Sequence, residues 1–120
     1  MLRLANEART AAGSPPLTCD RNATAAARGH SQDMCDNRYF SHTSLDGRRF
    51  TDRMREAGVR FGAGGENIAR GQRTAASVHD AWMNSSGHRR NILNAAYRRL
   101  GVGHVACPGY GPVWTQNFAD

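Results

Sequence analysis

The sequence contains no lysine, and its net charge of +6 is carried by arginine alone. The arginines are spread along the chain, and the only local concentrations are the pairs Arg48-Arg49, Arg89-Arg90 and Arg98-Arg99. A nucleic-acid interface is typically a basic stripe with interleaved aromatic residues, which this pattern lacks. We therefore interpret the arginines as a solvated surface and do not expect a nucleic acid partner. Binding of anionic polymers stays an alternative hypothesis.

The sequence also lacks long hydrophobic runs. No apolar stretch approaches the ~20 residues that a membrane-spanning helix needs, so we expect no membrane span. The N-terminus MLRLANEART has none of the basic, apolar and small-residue zones of a signal peptide. Either the protein is made without an export signal, or the sequence is a mature domain cut from a longer chain. With 120 residues and 39% hydrophobic content, we expect a monomer with one domain, residues 1–120, around one core.

Only three cysteines are present, and no two of them lie within two to four residues of each other, which excludes the usual zinc-finger spacing. One disulfide with one free thiol and three reduced thiols are both compatible with the sequence. Cys35 lies at the end of an apparent helix beside apolar positions and could be a small buried hydrophobic residue. Cys19 and Cys107 both lie at the edges of elements, so a Cys19–Cys107 bridge is the pairing we favour.

Periodicity and capping residues predict a mixture of helices and strands. The first helix ends at Gly13, a second begins after Asp20 and ends near Asn37, and a third covers about Thr51 to Ala57. Thr74 caps a further helix, and HRRNIL forms a short helical turn. ENIARG is a candidate strand, and LGVGHVA and PVWTQNF alternate like half-buried strands of an antiparallel hairpin. The fold class predicted from this pattern is α+β.

Three ionisable residues lie in loops or at element ends: His42 in FSHTS, Glu66 in GGENI and His88 in SSGHRRN. Only the tertiary fold can bring them together, since they are too far apart for one helix. Two imidazoles and a carboxylate would suit a divalent cation such as zinc, or a general acid and base at neutral pH. Histidines in such loops also commonly cap turns or face water, which is the alternative for each residue.

Four segments, in order and in register, identify a family. YFSHTSLDGRRFTDRMREAGV, GGENIARG, AWMNSSGHRRNIL and VWTQNFA closely resemble the bacterial branch of the CAP superfamily, whose domains are also called SCP domains. The opening ANEART resembles the first-helix motif of the family. The resemblance implies an α-β-α sandwich, three layers with a small antiparallel sheet, and a wide cleft between them.

The resemblance also implies the content of the cleft. His42, Glu66 and His88 match three residues that in some relatives bind zinc or another divalent cation, and they are our candidate metal ligands. A second glutamate of the eukaryotic relatives is absent, because WMNSSGH offers only Asn84 and serines there. The polar residues expected to line the cleft are Asn67, Ser85, Ser86 and Asn91, with the Asn67 amide bonding to backbone.

The family has no common reaction, so we assign no catalytic residue and leave open whether this chain is an enzyme. The first hypothesis is an extracellular binding module whose cleft takes a small molecule, lipid, peptide or divalent cation. A metal-assisted hydrolase acting at the same cleft is the alternative from the enzyme class. No cofactor is required by the first hypothesis, and zinc at His42, Glu66 and His88 is the candidate cofactor for both.

Overall fold

The computed structural model describes all 120 residues. It contains five α-helices and four β-strands. In chain order these are α1 (Leu2–Ala12), β1 (Thr18–Cys19), α2 (Arg21–Asp36), α3 (Phe50–Glu56), β2 (Gly64–Arg70), α4 (Ala75–Met83), α5 (Ser86–Leu93), β3 (Arg99–Val105) and β4 (Val113–Ala119).

One four-stranded sheet lies at the centre, in the order β1-β3-β4-β2. Strands β3 and β4 form the predicted antiparallel hairpin, and β2 pairs antiparallel with β4 so that Glu66 lies opposite Asn117. The two-residue strand β1, which the sequence pattern did not predict, pairs parallel with β3. The sheet is therefore mixed, because this one short edge strand runs parallel to its neighbour.

The predicted helix ends are set by local capping. The Asp20 carboxylate accepts from the backbone N–H of Ala23 at 2.8 Å and starts α2. The Thr74 hydroxyl accepts from Ser77 N–H at 3.1 Å and starts α4 in the same way. The three-layer α+β architecture is confirmed: α2 and α3 cover one face of the sheet, and α1, α4 and α5 cover the other.

Helix α2 lies directly against β3 because that strand carries two glycines on the facing side. A Cβ built on Gly101 would lie 2.1 Å from the backbone of Ala23, and one on Gly103 would lie 2.4 Å from the backbone of Ala27. Any side chain at these two positions would push the helix off the sheet. The alanine-rich face of α2 and the two glycines are thus parts of one contact.

The core is divided by the sheet. Trp114 and Phe118 of β4 belong to a cluster with Trp82 on the side of α1, α4 and α5. Val113 and Ala119 of the same strand belong to clusters on the side of α2 and α3. This alternation is what a strand that is covered on both faces requires.

The predicted Cys19–Cys107 bridge is wrong. Cys107 is bonded to Cys35 at the end of α2, with 5.7 Å between their Cα atoms, and Cys19 is an exposed free cysteine. Cys19 pairs with Leu100 at the start of β3, whereas Cys107 follows the end of that strand. Seven strand residues span roughly 20 Å, far more than a disulfide can bridge.

Two arginines depart from the prediction of a solvated basic surface, since Arg9 and Arg53 are buried. The Arg9 guanidinium donates to four backbone carbonyls, those of Pro15, Ile92, Asn94 and Tyr97. It thereby ties α1 to the end of α5. No helix is both long enough and apolar enough to cross a membrane.

Candidate functional site

The candidate site lies at the free edge of β2, where the sheet meets α5 and the loop before α3. The backbone carbonyls that point away from β4 are capped by side chains of the helical layer. Tyr97 Oη donates to Gly64 O at 3.0 Å, Asn91 Nδ2 to Glu66 O at 3.2 Å, and Trp82 Nε1 to Ile68 O at 3.1 Å. This edge is therefore closed to pairing with another strand, and its side chains are what a ligand meets.

The glycines before Glu66 allow close packing at this edge. A Cβ on Gly65 would lie 2.7 Å from Tyr97 Oη, and one on Gly64 would lie 2.9 Å from the Phe61 ring. Neither glycine has a positive φ, so space and not backbone freedom is the reason for them. The main chain thus reaches α5 closely and presents Glu66 on the opposite face of the strand.

Glu66 and His42 are in direct contact. His42 Nδ1 lies 2.8 Å from Glu66 Oε1, and the carboxylate can only accept, so Nδ1 carries the hydrogen. The histidine side chain is 54% exposed, whereas that of the glutamate is 1% exposed. A neutral His42 held in this way presents the lone pair of Nε2 as an acceptor, and a protonated one presents a second donor.

The second oxygen of Glu66 is held from the inside by Arg53 of α3. Arg53 Nη2 lies 2.8 Å from Glu66 Oε2, and the arginine side chain is 5% exposed. With its amide in the orientation that satisfies both terminal atoms, Asn117 Nδ2 also donates to Oε2 at 3.0 Å. Arg53 Nη1 donates to Ser44 Oγ at 2.9 Å and to Arg48 O at 3.1 Å, which anchors the loop that carries His42.

His88 makes no hydrogen bond to Glu66 or His42. Its Nδ1 lies 2.9 Å from Ser85 Oγ, one turn back at the start of α5. Burial lowers the pKa of His88, and repulsion from His42 lowers it further. The two imidazoles are therefore close enough to influence each other electrostatically, and each is oriented by a different partner.

A ladder of amides joins α5 to the sheet beneath the cleft. Asn67 is fully buried and donates to His88 O and to Gln116 Oε1, both at 3.1 Å. Its own oxygen accepts from Asn91 Nδ2 at 2.9 Å. Asn67 thus bonds to backbone as expected, and it supports the cleft from below without reaching its surface.

The cleft holds two neighbouring cavities. The first, of about 490 Å³, is lined by His42, Thr43, Arg49, Phe50, Thr51, Gly64, Gly65, Glu66 and Asn91. The second, of about 440 Å³, is lined by Phe40, Ile68, Ala69, Arg70, Gln72, Ala81, Trp82, Ser85 and His88. Of the four residues expected to line the cleft, Asn91 and Ser85 do so, one in each cavity, and Ser86 is exposed outside both.

The residues present do not fit a metal ion as they are placed. No group of three or more His, Cys, Asp or Glu side chains converges closely enough to hold one. Both oxygens of Glu66 are already bonded, and one of them faces a guanidinium cation, Arg53. The segment WMNSSGH offers no acidic residue as a second carboxylate ligand, and the Asn84 amide donates to Asp80 O. We therefore derive no chemistry from a metal at this site.

Sequence reasoning missed Arg53, which is central to the site. The signal is its position in α3: Phe50, Arg53, Met54 and Ala57 follow the i, i+3, i+4, i+7 spacing of a buried helix face. An arginine on that face requires a buried partner. Glu66 is the buried carboxylate that the fold supplies.

Comparisons with known proteins agree with this architecture. The family model described as the cysteine-rich secretory protein family, CAP, matches residues 2–118. The uncharacterized protein YkwD of Bacillus subtilis is 43% identical over 118 residues, which are 98% of this chain and 45% of that protein. This chain thus spans less than half of the length of that relative.

Two solved structures are similar in fold. One is an extracellular protein containing an SCP domain from Bacillus anthracis, with a TM-score of 0.89 and 39% identity over 98% of this chain and 38% of that one. The other, an outer surface protein of Borrelia burgdorferi, has a TM-score of 0.91 over 99% of this chain and 88% of that one. Its 21% identity supports the shared fold alone. The family model covers nearly the whole chain, so this protein belongs to the cysteine-rich secretory protein (CAP) family.

Proposed function

We propose that the chain is an extracellular binding module whose cleft takes a small polar ligand or a short peptide. The observation that carries the proposal is the Glu66–His42 pair at the floor of the first cavity. A buried carboxylate orients a half-exposed imidazole, and its Nε2 is left for a ligand. The metal-independent form of the binding hypothesis is the one that this geometry favours.

The size and the lining of the first cavity support a polar ligand. Its volume of about 490 Å³ falls within the ~300–1,000 Å³ of typical ligand pockets. The lining offers the hydroxyls of Thr43 and Thr51, the amide oxygen of Asn91 and the guanidinium of Arg49, with Phe50 as its single hydrophobic side chain. Peptide groups and hydroxyls match these donors and acceptors.

The location is proposed from the relatives. The Bacillus anthracis protein is described as extracellular and the Borrelia burgdorferi protein as an outer surface protein. A disulfide between Cys35 and Cys107 is consistent with an oxidising compartment. We therefore propose that the domain functions outside the cytoplasm.

The test is a panel of acetylated tetrapeptides of neutral, acidic and basic composition, titrated into the labelled protein and followed by NMR. We expect saturable shifts at the amides of Thr43, Thr51, Gly64 and Gly65. His42→Ala should remove these shifts, whereas His104→Ala, an exposed histidine on β3 outside the cleft, should keep them. The absence of shifts with every peptide, or shifts that His42→Ala leaves unchanged, would refute a binding role for this pair.

Hydrolysis at the same cleft is a second candidate function, and one contact favours it. Ser85 Oγ lies 2.9 Å from His88 Nδ1, the relation of a nucleophile to a general base. No third side chain orients His88 through its other nitrogen. The decisive assay is turnover of a p-nitrophenyl ester and of a casein substrate, with Ser85→Ala as the variant. Turnover that Ser85→Ala abolishes would support hydrolysis, and turnover equal to the buffer rate would exclude it for these substrates.

A further inference from the structure

The protein carries exposed arginines without acidic partners around Tyr110. Arg38 follows the end of α2, Arg70 is the last residue of β2, and Arg73 lies just before α4. All three are exposed, and none of them forms an ion pair with an acidic side chain. Together with Tyr110 and the neighbouring Phe40, we call these residues the Tyr110 surface.

Two of the cations share the Tyr110 ring. Arg70 Cζ lies 3.9 Å from the ring centroid, and Arg38 Cζ lies 5.4 Å from it. A tyrosine ring attracts a guanidinium but carries no net charge, so it orders both cations without neutralising them. Arg38 also donates to the neutral acceptors Cys35 O and Pro108 O, both at 3.2 Å. Arg70 is held by the ring alone, and its exposed N–H groups are available to a ligand.

Two surface cavities meet at the contact between Arg70 and Tyr110. The second cavity of the cleft, of about 440 Å³, is lined by Arg70 and Phe40, and a further cavity of about 450 Å³ is lined by Tyr110 and Arg73. The Phe40 side chain is one of only two large hydrophobic side chains that are exposed, at 47%. Beside it the cleft cavity has an apolar lining, which consists of Ile68, Ala69, Ala81 and Trp82.

The nearby acidic residues do not contribute to these two cavities. Asp33 lines a separate cavity between α2 and α3, Asp36 accepts from the Gln32 amide at 2.8 Å, and Asp80 is exposed on α4. No acidic residue lines either cavity at the Tyr110 surface. Arginine therefore supplies the only permanent charge of both linings, and an anionic group is the ligand chemistry that complements it.

We propose that the Tyr110 surface binds an acidic segment of a partner protein in which a large apolar side chain follows the acidic residues. A carboxylate pairs with the Arg70 guanidinium, and Arg38 and Arg73 add attraction at longer range. The apolar side chain packs against Phe40 and the apolar lining of the cleft cavity. A phosphate polymer has the charge but no apolar group for this lining, so the observations favour a peptide. The proposal does not rest on what the first cavity, with Glu66 and His42, binds.

The experiment is an NMR titration of the labelled, intact domain with an acetylated pentapeptide that carries two aspartates followed by phenylalanine. We expect saturable shifts at the amides of Gly71, Ala81 and Gly111, with a Kd on the order of 0.1 mM in about 50 mM salt. Binding should weaken severalfold in about 500 mM salt. One matched peptide has asparagines in place of the aspartates and another has serine in place of phenylalanine, and each should bind at least about fivefold more weakly.

Variants of the protein assign the two halves of the surface. Arg70→Gln removes an exposed cation that makes no ion pair, so the variant should fold and should bind the acidic peptide about tenfold more weakly. Arg21→Gln is the control, since Arg21 is exposed at the opposite end of α2 from Arg38. Phe40→Ser should weaken binding of the phenylalanine peptide and leave that of the serine peptide unchanged. His42→Ala should retain all these shifts, which separates this test from that of the Glu66–His42 pair.

Several results would overturn the proposal. They are the absence of saturable shifts with the acidic peptide, equal binding of the asparagine peptide, and unchanged binding in Arg70→Gln. Inorganic polyphosphate is the competing probe. If polyphosphate shifted the same amides at lower concentration than the peptide, and Phe40→Ser left its binding unchanged, the surface would be a site for phosphate polymers instead.

Discussion

The two oxygens of the Glu66 carboxylate have opposite surroundings. Oε1 faces His42, a residue of an irregular loop with a side chain that is 54% exposed. Oε2 faces Arg53, a residue of α3 with a side chain that is 5% exposed. Exposed ion pairs contribute little to stability. When one partner of a buried pair is removed, by contrast, the charge of the other partner stays buried and uncompensated. The inner contact therefore maintains the fold, and the outer contact is free to serve a ligand.

The largest effect is expected from Arg53→Met, which removes the inner contact. The variant leaves the Glu66 carboxylate buried without its cation, so we expect the free energy of unfolding to fall by about 3–5 kcal/mol. Arg55→Met on the exposed side of the same helix is the control, where only a cation–π contact of about 0.5–1 kcal/mol with Phe61 is lost. Urea denaturation measures the free energy of unfolding of both variants. Equal losses of this free energy would show that the inner contact contributes no more to stability than an exposed arginine does.

A double-mutant cycle gives the next largest effect. Glu66→Gln alone leaves Arg53 as a buried cation, and combining it with Arg53→Met removes both charges. We expect the double variant to be more stable than the sum of the single losses predicts, by about 1–3 kcal/mol. Additive losses within about 0.5 kcal/mol would contradict a direct coupling between these side chains.

The pH dependence of stability extends the comparison to the buried histidine near Arg53. Burial lowers the pKa of His30 below its ordinary value of 6.5 in the folded state. The unfolded chain then binds a proton more readily, so the free energy of unfolding falls as the pH drops through 6.5 and levels off below the folded-state pKa. His30→Phe should reduce this slope in urea titrations, whereas His104→Gln, an exposed position, should keep it. An unchanged slope in His30→Phe would contradict the assignment of this pH dependence to His30.

The smallest effect on stability is expected from His42→Ala, on the outer side of Glu66. The side chain is half exposed and Arg53 stays in place, so the free energy of unfolding should change by less than about 1 kcal/mol. Peptide binding in the cleft should nevertheless be lost. A stability loss as large as that of Arg53→Met would erase the distinction between the two sides of Glu66.

Local signals in the sequence predicted the elements but not every partner. Asp20 and Thr74 cap their helices as predicted, because N-capping depends on residues within one turn. Strand β1 was missed because two residues carry no periodicity, and its pairing with β3 is a tertiary contact. The predicted cysteine pairing was wrong for the same reason, since the pairing depends on which end of β3 each cysteine lies at.

The candidate site was predicted in part. Family motifs pointed to His42 and Glu66, which the structure joins directly, and to His88, which it pairs with Ser85 instead. Arg53 was missed because the charge of arginine argued for a surface position. Its place on the apolar face of α3 was visible in the sequence, but the buried carboxylate that balances it comes from a strand thirteen residues away.

We propose that Arg53 and His42 hold Glu66 in place without a metal ion. The most direct test is a spectrum of the imidazole nitrogens of His42 and His88, recorded while zinc is added up to millimolar concentration. We expect a hydrogen on His42 Nδ1 and no selective change in either ring. A saturable shift of both rings together, abolished by Glu66→Gln, would contradict it and establish the three-ligand metal site instead.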